Sequence, residues 1–277
     1  MGDKRGMEKE IGIIGVGNIG SSILRGLLAA GSSGKIRISD EKKEKLGVFK
    51  ADAESASSVV VCERNEEVAK GSEVIILAVK PNEVGAVVRE IVPFMTEASL
   101  LISVAAGVPT SAIEDYLGAG KKVIRVMPNI GARVGESVTA LCRGTYAGEE
   151  DEDVATAILR AIGSVYSVKE RDIDVITGLS GSGIAFVAAV IDAMADGGVY
   201  EGLPRELSLA IAAKTALGAA RMIIAGDKPS EIAQMTASPG GTTIRGLYAM
   251  ESRAVKAAMM EAVIEATRRA RGISGQK

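Results

Sequence analysis

Two glycine-bearing segments of this chain have the residue types and spacing to hold anions. The first is Ser238-Pro239-Gly240-Gly241-Thr242-Thr243, just ahead of a long helical pattern that begins near Ile244. The first N–H groups of a helix have no intrahelical partner, and the helix dipole favours negative charge beside them. Gly240 and Gly241 let the backbone come close to a ligand, while Ser238, Thr242 and Thr243 add hydroxyls. A small carboxylate suits such a mouth; taken alone, so does a plain turn capped by Thr. The second segment is Gly15-Val16-Gly17-Asn18-Ile19-Gly20, a G-x-G-x-x-G run. It follows an apolar strand pattern from Ile11 and precedes a helical pattern with Ile23, Leu24, Leu27 and Leu28 on one face. This context suits a dinucleotide: a tight turn at Gly15, close approach to a pyrophosphate at Gly17, and helix–strand packing at Gly20. Asp40 stands about 20 residues further on, at the end of a second strand pattern over 35–39. An acid there ordinarily accepts the ribose 2′-hydroxyl of NAD and repels a 2′-phosphate.

Elements that could position these segments are legible. Strand and helix patterns alternate as far as residue 168: strands over 59–62, 73–79, 100–104, 123–126, 138–142 and 164–168, with helices near 66–70, 84–92, 111–117 and 150–162. That alternation predicts βαβ units and a parallel sheet. Lys80-Pro81 closes the 73–79 strand at its carboxyl end, where ligands sit in open α/β sheets. Beyond 173 the patterns are helical only, over 173–197, 205–225, 229–236 and 244–271. The fold expected is therefore an α/β Rossmann domain over 1–168 and an all-α domain over 169–277. Small residues such as Gly181, Gly183, Ala185, Ala189, Gly197 and Gly198 crowd one helix of the latter. They allow close helix packing, either within one chain or between copies. Residues 1–10 are polar and read as a frayed tail.

Composition removes whole classes of function. Histidine is absent from the 277 residues, which excludes a His general base, a Ser-His-Asp triad and a His-ligated metal. Net charge is −2 and aromatics are 3%, without the basic patch or stacking platform of a nucleic-acid binder. Apolar stretches at 183–199 and 207–225 are interrupted by Asp192, Asp196, Lys214 and Arg221, and are not expected to span a membrane. Cys62 and Cys142 lie far apart near apolar segments and read as small buried hydrophobes. A reducing cytoplasmic setting is expected, with no metal.

With both glycine segments in hand, the chain resembles the pyrroline-5-carboxylate reductases nearly end to end. The resemblance is carried by Gly15 to Gly20, Leu77-Ala78-Val79-Lys80-Pro81, Ser103-Val104-Ala105-Ala106-Gly107-Val108, Arg125-Val126-Met127-Pro128-Asn129, Gly178-Leu179-Ser180-Gly181-Ser182-Gly183, Met194-Ala195-Asp196-Gly197-Gly198 and, most specifically, 238–243. It implies reduction of the cyclic imine 1-pyrroline-5-carboxylate to L-proline with NADPH or NADH. It also implies a helical dimerisation domain with interlocked helices, often in a decamer of five dimers. Matched positions place the cofactor against Gly15, Val16, Gly17, Asn18, Ile19, Gly20, Ser39, Asn65, Ala78, Val79, Lys80, Pro81 and Ala106, to which Asp40 is added on its own chemistry. They place the substrate against Glu170, Ser238, Gly240, Gly241, Thr242 and Thr243, with Thr243 at the ring nitrogen as the catalytic contact. Unaided, Asn65 and Glu170 read only as surface polar residues, and Lys80 as a solvated strand-end charge.

The chain departs from the family at Ile184 and Phe186, where Pro and Tyr are usual. Asp40 leaves the choice between NADPH and NADH open, since Lys42 and Lys43 stand beside it. β-Hydroxyacid dehydrogenases share the domain plan, but carry a catalytic Lys on the first long interdomain helix with Asn four residues on. The corresponding stretch from Gly183 has no Lys, and Lys214 is followed by Gly218. A dinucleotide-binding regulator without turnover has no use for an intact 238–243 loop.

Overall fold

The computed structural model describes residues 6–55 and 58–275, with backbone only over 50–55. It divides into two compact units, 1–181 with 267–277, and 182–266. The sequence changes texture near 168 because strands stop there. The packing boundary lies further on, because the helix 173–176 still covers the sheet.

The first unit is an eight-stranded sheet with helices between the strands. In chain order the elements are β1 (Ile11–Ile14), α1 (Asn18–Ala29), β2 (Ile36–Ser39), α2 (Lys43–Ser55), β3 (Val59–Val61), α3 (Asn65–Lys70) and β4 (Val74–Leu77). Then come α4 (Val84–Ile91), β5 (Leu100–Ser103), α5 (Thr110–Leu117), β6 (Lys122–Met127), β7 (Ser137–Arg143), α6 (Glu149–Leu159), β8 (Gly163–Ser167) and α7 (Ile173–Ile176). The strand order is β3-β2-β1-β4-β5-β6-β7-β8. Every pairing is parallel except β6 with β7. The parallel sheet expected from the alternation therefore has one reversal. Its cause is the link: one 3₁₀ segment, Ile130–Val134, joins β6 to β7, and a parallel crossover needs a dozen residues or more.

Side chains alternate across each strand, and helices on both sides bury both faces of the central strands β1, β2, β4 and β5. Ile11, Ile13, Ile36, Ile38, Val74 and Ile76 pack with Ile23, Leu24 and Leu27 of α1 and Ile158 and Leu159 of α6. Ile14, Ile75 and Leu77 pack on the other side with Val68, Val84, Val88, Ile91 and Ile113. Strand order reverses between β1 and β4, and the carboxyl ends of these two strands open the crevice where such sheets bind ligands. The polar segment 6–10 is packed rather than frayed: the Met7 carbonyl accepts from Ser33 N–H at 3.0 Å and Ser32 Oγ at 2.9 Å. Residues 1–5 lie outside the described ones.

The second unit is helical, with α8 (Gly183–Tyr200), α9 (Arg205–Ala225), α10 (Pro229–Thr236), α11 (Thr242–Ser252) and the start of α12 (Val255–Ser274), whose last turns belong to the first unit. α8 and α9 meet where Ser208 Oγ donates to the Ala195 carbonyl at 2.7 Å, and Arg205 pairs with Asp192 and Asp196. The stretches 170–200 and 205–225 are long and apolar enough to cross a membrane by length and composition. Their apolar side chains are largely uncovered in the single chain, among them Val187, Met194, Leu207, Ile211 and Ile223.

Two expected helices are broken. The 173–197 pattern carries a π-turn at Thr177–Gly181, ahead of α8. The 244–271 pattern stops at Arg253-Ala254 and restarts as α12, with Ala254 at φ 54. No Gly or Pro marks this break, so periodicity ran through it. A left-handed Ala is strained by about 1–2 kcal/mol. Ala254→Gly is expected to stabilise the protein by up to about 1 kcal/mol, after the entropy glycine adds to the unfolded chain. A thermal melt at fixed protein concentration checks this; an unchanged or lower midpoint would show that the turn carries no strain.

Candidate dinucleotide cleft and carboxylate loop

A cavity of about 700 Å³ opens at the β1/β4 switch point. Gly15, Gly17 and Asn18 line it from the β1–α1 turn, Asp40 and Lys42 from the loop after β2, Lys45 from the first turn of α2, Asn65 from α3, and Ala78, Val79 and Lys80 from the end of β4. These are most of the residues assigned to the cofactor from the sequence. Val16, Ile19, Gly20, Ser39 and Pro81 stand beside lining residues in the chain, whereas Ala106, in the loop after β5, is not part of this lining.

The three glycines of the turn serve different ends. Gly15 has φ +95, and a Cβ there would stand 2.5 Å from the Ala78 carbonyl oxygen. A Cβ on Gly20 would stand 1.9 Å from the Gly15 oxygen. Both positions are fixed by the protein's own backbone. A Cβ on Gly17 would meet nothing within 4 Å. The space over Gly17, at the amino end of α1, is left clear, as a pyrophosphate cradled by helix N–H groups requires. No side chain caps α1. The residues present thus fit a dinucleotide.

Around the ribose end the polar groups are tied together. Ser39 Oγ donates to Asn65 Oδ1 at 2.8 Å, and Asn65 Nδ2 donates to Glu90 at 3.0 Å. The Asp40 carboxylate accepts from the Val16 and Lys42 N–H groups, each at 2.9 Å. Burial works to raise the Asp40 pKa, but the N–H of Lys42, the ammonium of Lys45 and the N–H of Val16 outweigh it and hold the carboxyl below its usual value. Lys45, Val87 and Glu90 line the cleft and were not singled out in the sequence. Only Lys45, one turn beyond the Asp, carries a sequence signal that finds it.

Glu170 is half-buried and fully engaged. Its carboxylate accepts from the Thr110 N–H at 2.7 Å and the Thr110 hydroxyl at 2.8 Å, capping α5. It also pairs with Arg125 Nη1 at 3.1 Å. Arg125 is 1% exposed and approaches Asp174 at 3.8 Å, while Ser274 Oγ donates to Asp174 at 2.6 Å. Cys142 lies buried at this end of the sheet; burial, with the Glu170 charge adding, pushes its thiol up to about 12. Cys62 is also buried, its thiol raised by burial, and both cysteines are free.

In the second unit, Ser238 to Gly241 form a turn closed by Gly241 N–H to the Ser238 carbonyl at 3.0 Å. Pro239 follows Ser238, and Gly240 has φ +69, the arrangement of a type II turn. α11 begins at Thr242 with Gly241 as its N-cap and no side-chain cap bond. A Cβ on Gly241 would lie 2.3 Å from Ser238 Oγ, so the serine hydroxyl folds over the glycine. Thr243 is half-buried, and among the described residues its hydroxyl has no recorded partner. The turn therefore leaves a helix mouth open, with hydroxyls beside it. Among the described residues no group of His, Cys, Asp and Glu is placed to hold a metal ion.

Comparison with known proteins places both halves. A family described as pyrroline-5-carboxylate reductase dimerisation matches residues 170–273, and one described as NADP oxidoreductase, coenzyme F420-dependent, matches 10–107. The chain is 41% identical to a pyrroline-5-carboxylate reductase of Methanosarcina acetivorans, over 95% of this chain and 97% of that one. Among solved structures, a pyrroline-5-carboxylate reductase from Coxiella burnetii superposes with a TM-score of 0.89 at 32% identity, covering 96% of this chain and 98% of that one. A Plasmodium falciparum pyrroline carboxylate reductase with NADP bound gives 0.84 at 29% identity, covering 96% and 98%.

Proposed function

The chain belongs to the pyrroline-5-carboxylate reductase family, and on that premise we propose that residues 238–243 hold the substrate of the family's reaction. The protein is an oxidoreductase that reduces 1-pyrroline-5-carboxylate to L-proline with NADPH or NADH, the last step of proline biosynthesis. When bound, the reduced nicotinamide supplies hydride to the imine carbon.

The protein's own residues orient and neutralise. In this reading the uncapped N–H groups of Thr242 and Thr243, with the Ser238 hydroxyl, take the substrate carboxylate. Gly240 and Gly241 admit it to the backbone. The Thr243 hydroxyl meets the ring nitrogen, donating to a neutral imine or accepting from an iminium. An iminium is already electrophilic, so a strong general acid is not needed, which suits a chain without histidine. Glu170 serves the substrate pocket by positioning, through Thr110 and the start of α5. Gly15, Val16, Gly17, Asn18, Ile19, Gly20, Ser39, Asp40, Asn65, Ala78, Val79, Lys80, Pro81 and Ala106 form or support the dinucleotide site. Residues 1–168 act as the dinucleotide-binding domain and 169–277 as the substrate and dimerisation domain.

The observation that carries this reading is the open helix mouth behind the Ser238–Gly241 turn. The dimerisation domain makes the chain an oligomer and gives its uncovered apolar helices a partner. A homodimer that builds a homodecamer in the cytoplasm is the assembly proposed. Thr243→Val keeps the shape and removes the hydroxyl. It is expected to lower kcat/KM for pyrroline carboxylate about ten- to a hundredfold, the range of one or two polar contacts in a closed site. Cofactor Kd should barely move. Near-wild-type kcat/KM would mean that the loop grips the carboxylate alone. Wild-type protein that binds NAD(P)H yet never consumes it with this substrate would overturn the reading in favour of a regulator.

A further inference from the structure

Asp40 stands where an acid usually selects NAD, yet its carboxylate is already engaged by the protein's own groups. One oxygen accepts the Val16 N–H and the other the Lys42 N–H, both at 2.9 Å. Lys45 Nζ lies across the pair, 3.0 Å from one oxygen and 3.2 Å from the other. The Asp40 side chain is 6% exposed, whereas that of Lys45 is 40% exposed and lines the cleft. Asp40 therefore fastens the glycine-rich turn to the end of β2, and Lys45 faces the cleft. Lys43, also close in sequence, is turned away to Glu63 at 3.6 Å.

We propose that Lys45 makes this cleft selective for a dinucleotide bearing a 2′-phosphate, so that NADPH is preferred over NADH. The inference rests on the reading of the cleft as the cofactor site. Lys45 does two things. While paired, it cancels the charge with which Asp40 would repel a phosphate. Its flexible four-carbon stem then lets the ammonium turn to the phosphate oxygens without unfastening the turn, because Asp40 keeps both backbone N–H groups. A phosphomonoester brings nearly two negative charges and three acceptor oxygens, against the single hydroxyl of NADH. Lys42, also on the cleft wall, adds to the same field.

The test uses fragments that isolate this contact: adenosine 2′,5′-bisphosphate and adenosine 5′-monophosphate, titrated calorimetrically into the full-length protein. Wild type is expected to bind the bisphosphate at least about tenfold more tightly, the effect of about one close charge pair at a partly screened site. That preference should shrink as salt is raised. Lys45→Met should bring the two affinities within about threefold, and Lys45→Arg should restore most of the preference. A Lys45→Met protein that keeps the wild-type preference overturns the proposal. So does a wild type without preference, and if that protein still turns over pyrroline carboxylate with NADH, the functional reading survives. A wild type that binds neither fragment overturns both.

Discussion

Gly17→Val is expected to raise the Kd for NADPH by more than about a hundredfold in a protein that still folds. The backbone at Gly17 has φ −68 and ψ −161, open to any residue, and a Cβ there meets nothing within 4 Å. Valine is therefore accommodated by the fold, at a modest cost as an N-cap. What it fills is the clear space at the mouth of α1. A phosphate displaced from that mouth loses charge-assisted bonds to N–H groups, each worth about 1.5–3 kcal/mol, and two such losses exceed a hundredfold in affinity. Gly20→Ala should behave oppositely, since its Cβ would lie 1.9 Å from the Gly15 oxygen and the damage falls on the turn itself. Fluorescence titration beside a circular-dichroism melt separates the two. Tight NADPH binding by folded Gly17→Val protein would remove the pyrophosphate from this turn.

The sequence was legible where one local rule decides the structure. The strand–glycine–helix run at 11–29 carries its own punctuation. So does the 238–243 turn, where Pro and Gly occupy the positions a type II turn demands. Helices α9 and α10 match the ranges expected from periodicity, since Pro204 and Pro229 mark their starts. Legibility failed where contacts distant in sequence decide. Arg125 sits among Val123, Ile124 and Val126, and nothing local says that a charge there will be buried. Asn65 has no motif, yet Ser39 and Glu90 hold it at the cleft. Asp40 was read from its place in the fold pattern, but the hydrogen bonds that turn it toward Val16 depend on the loop opposite. The break at Ala254 is silent because its residue favours helix on both sides.

The second large effect is expected from Arg125→Met, which should destabilise the first unit by about 3–5 kcal/mol. Arg125 is enclosed within β6, with Glu170 on one nitrogen and Asp174 on the other. Asp174 is 2% exposed as a side chain, so removing the cation leaves its charge with the Ser274 hydroxyl as its recorded hydrogen-bond partner. A buried ion pair is weak evidence of stability in itself; the large cost comes from stranding one partner. The double variant Arg125→Met with Asp174→Asn removes that stranded charge and should be more stable than Arg125→Met alone. Urea midpoints at fixed protein concentration measure both. A single-variant cost under about 1 kcal/mol, or a double variant no better than the single, would show that the cluster does not work as a charge pair. The effect reaches the site, because Glu170 also caps α5 through Thr110. With its cation gone, Glu170 holds that cap without the tie to β6 that Arg125 supplies. Some loss of kcat should therefore accompany the loss of stability, and Glu170→Gln, which keeps an oxygen for Thr110, should show the milder form of it.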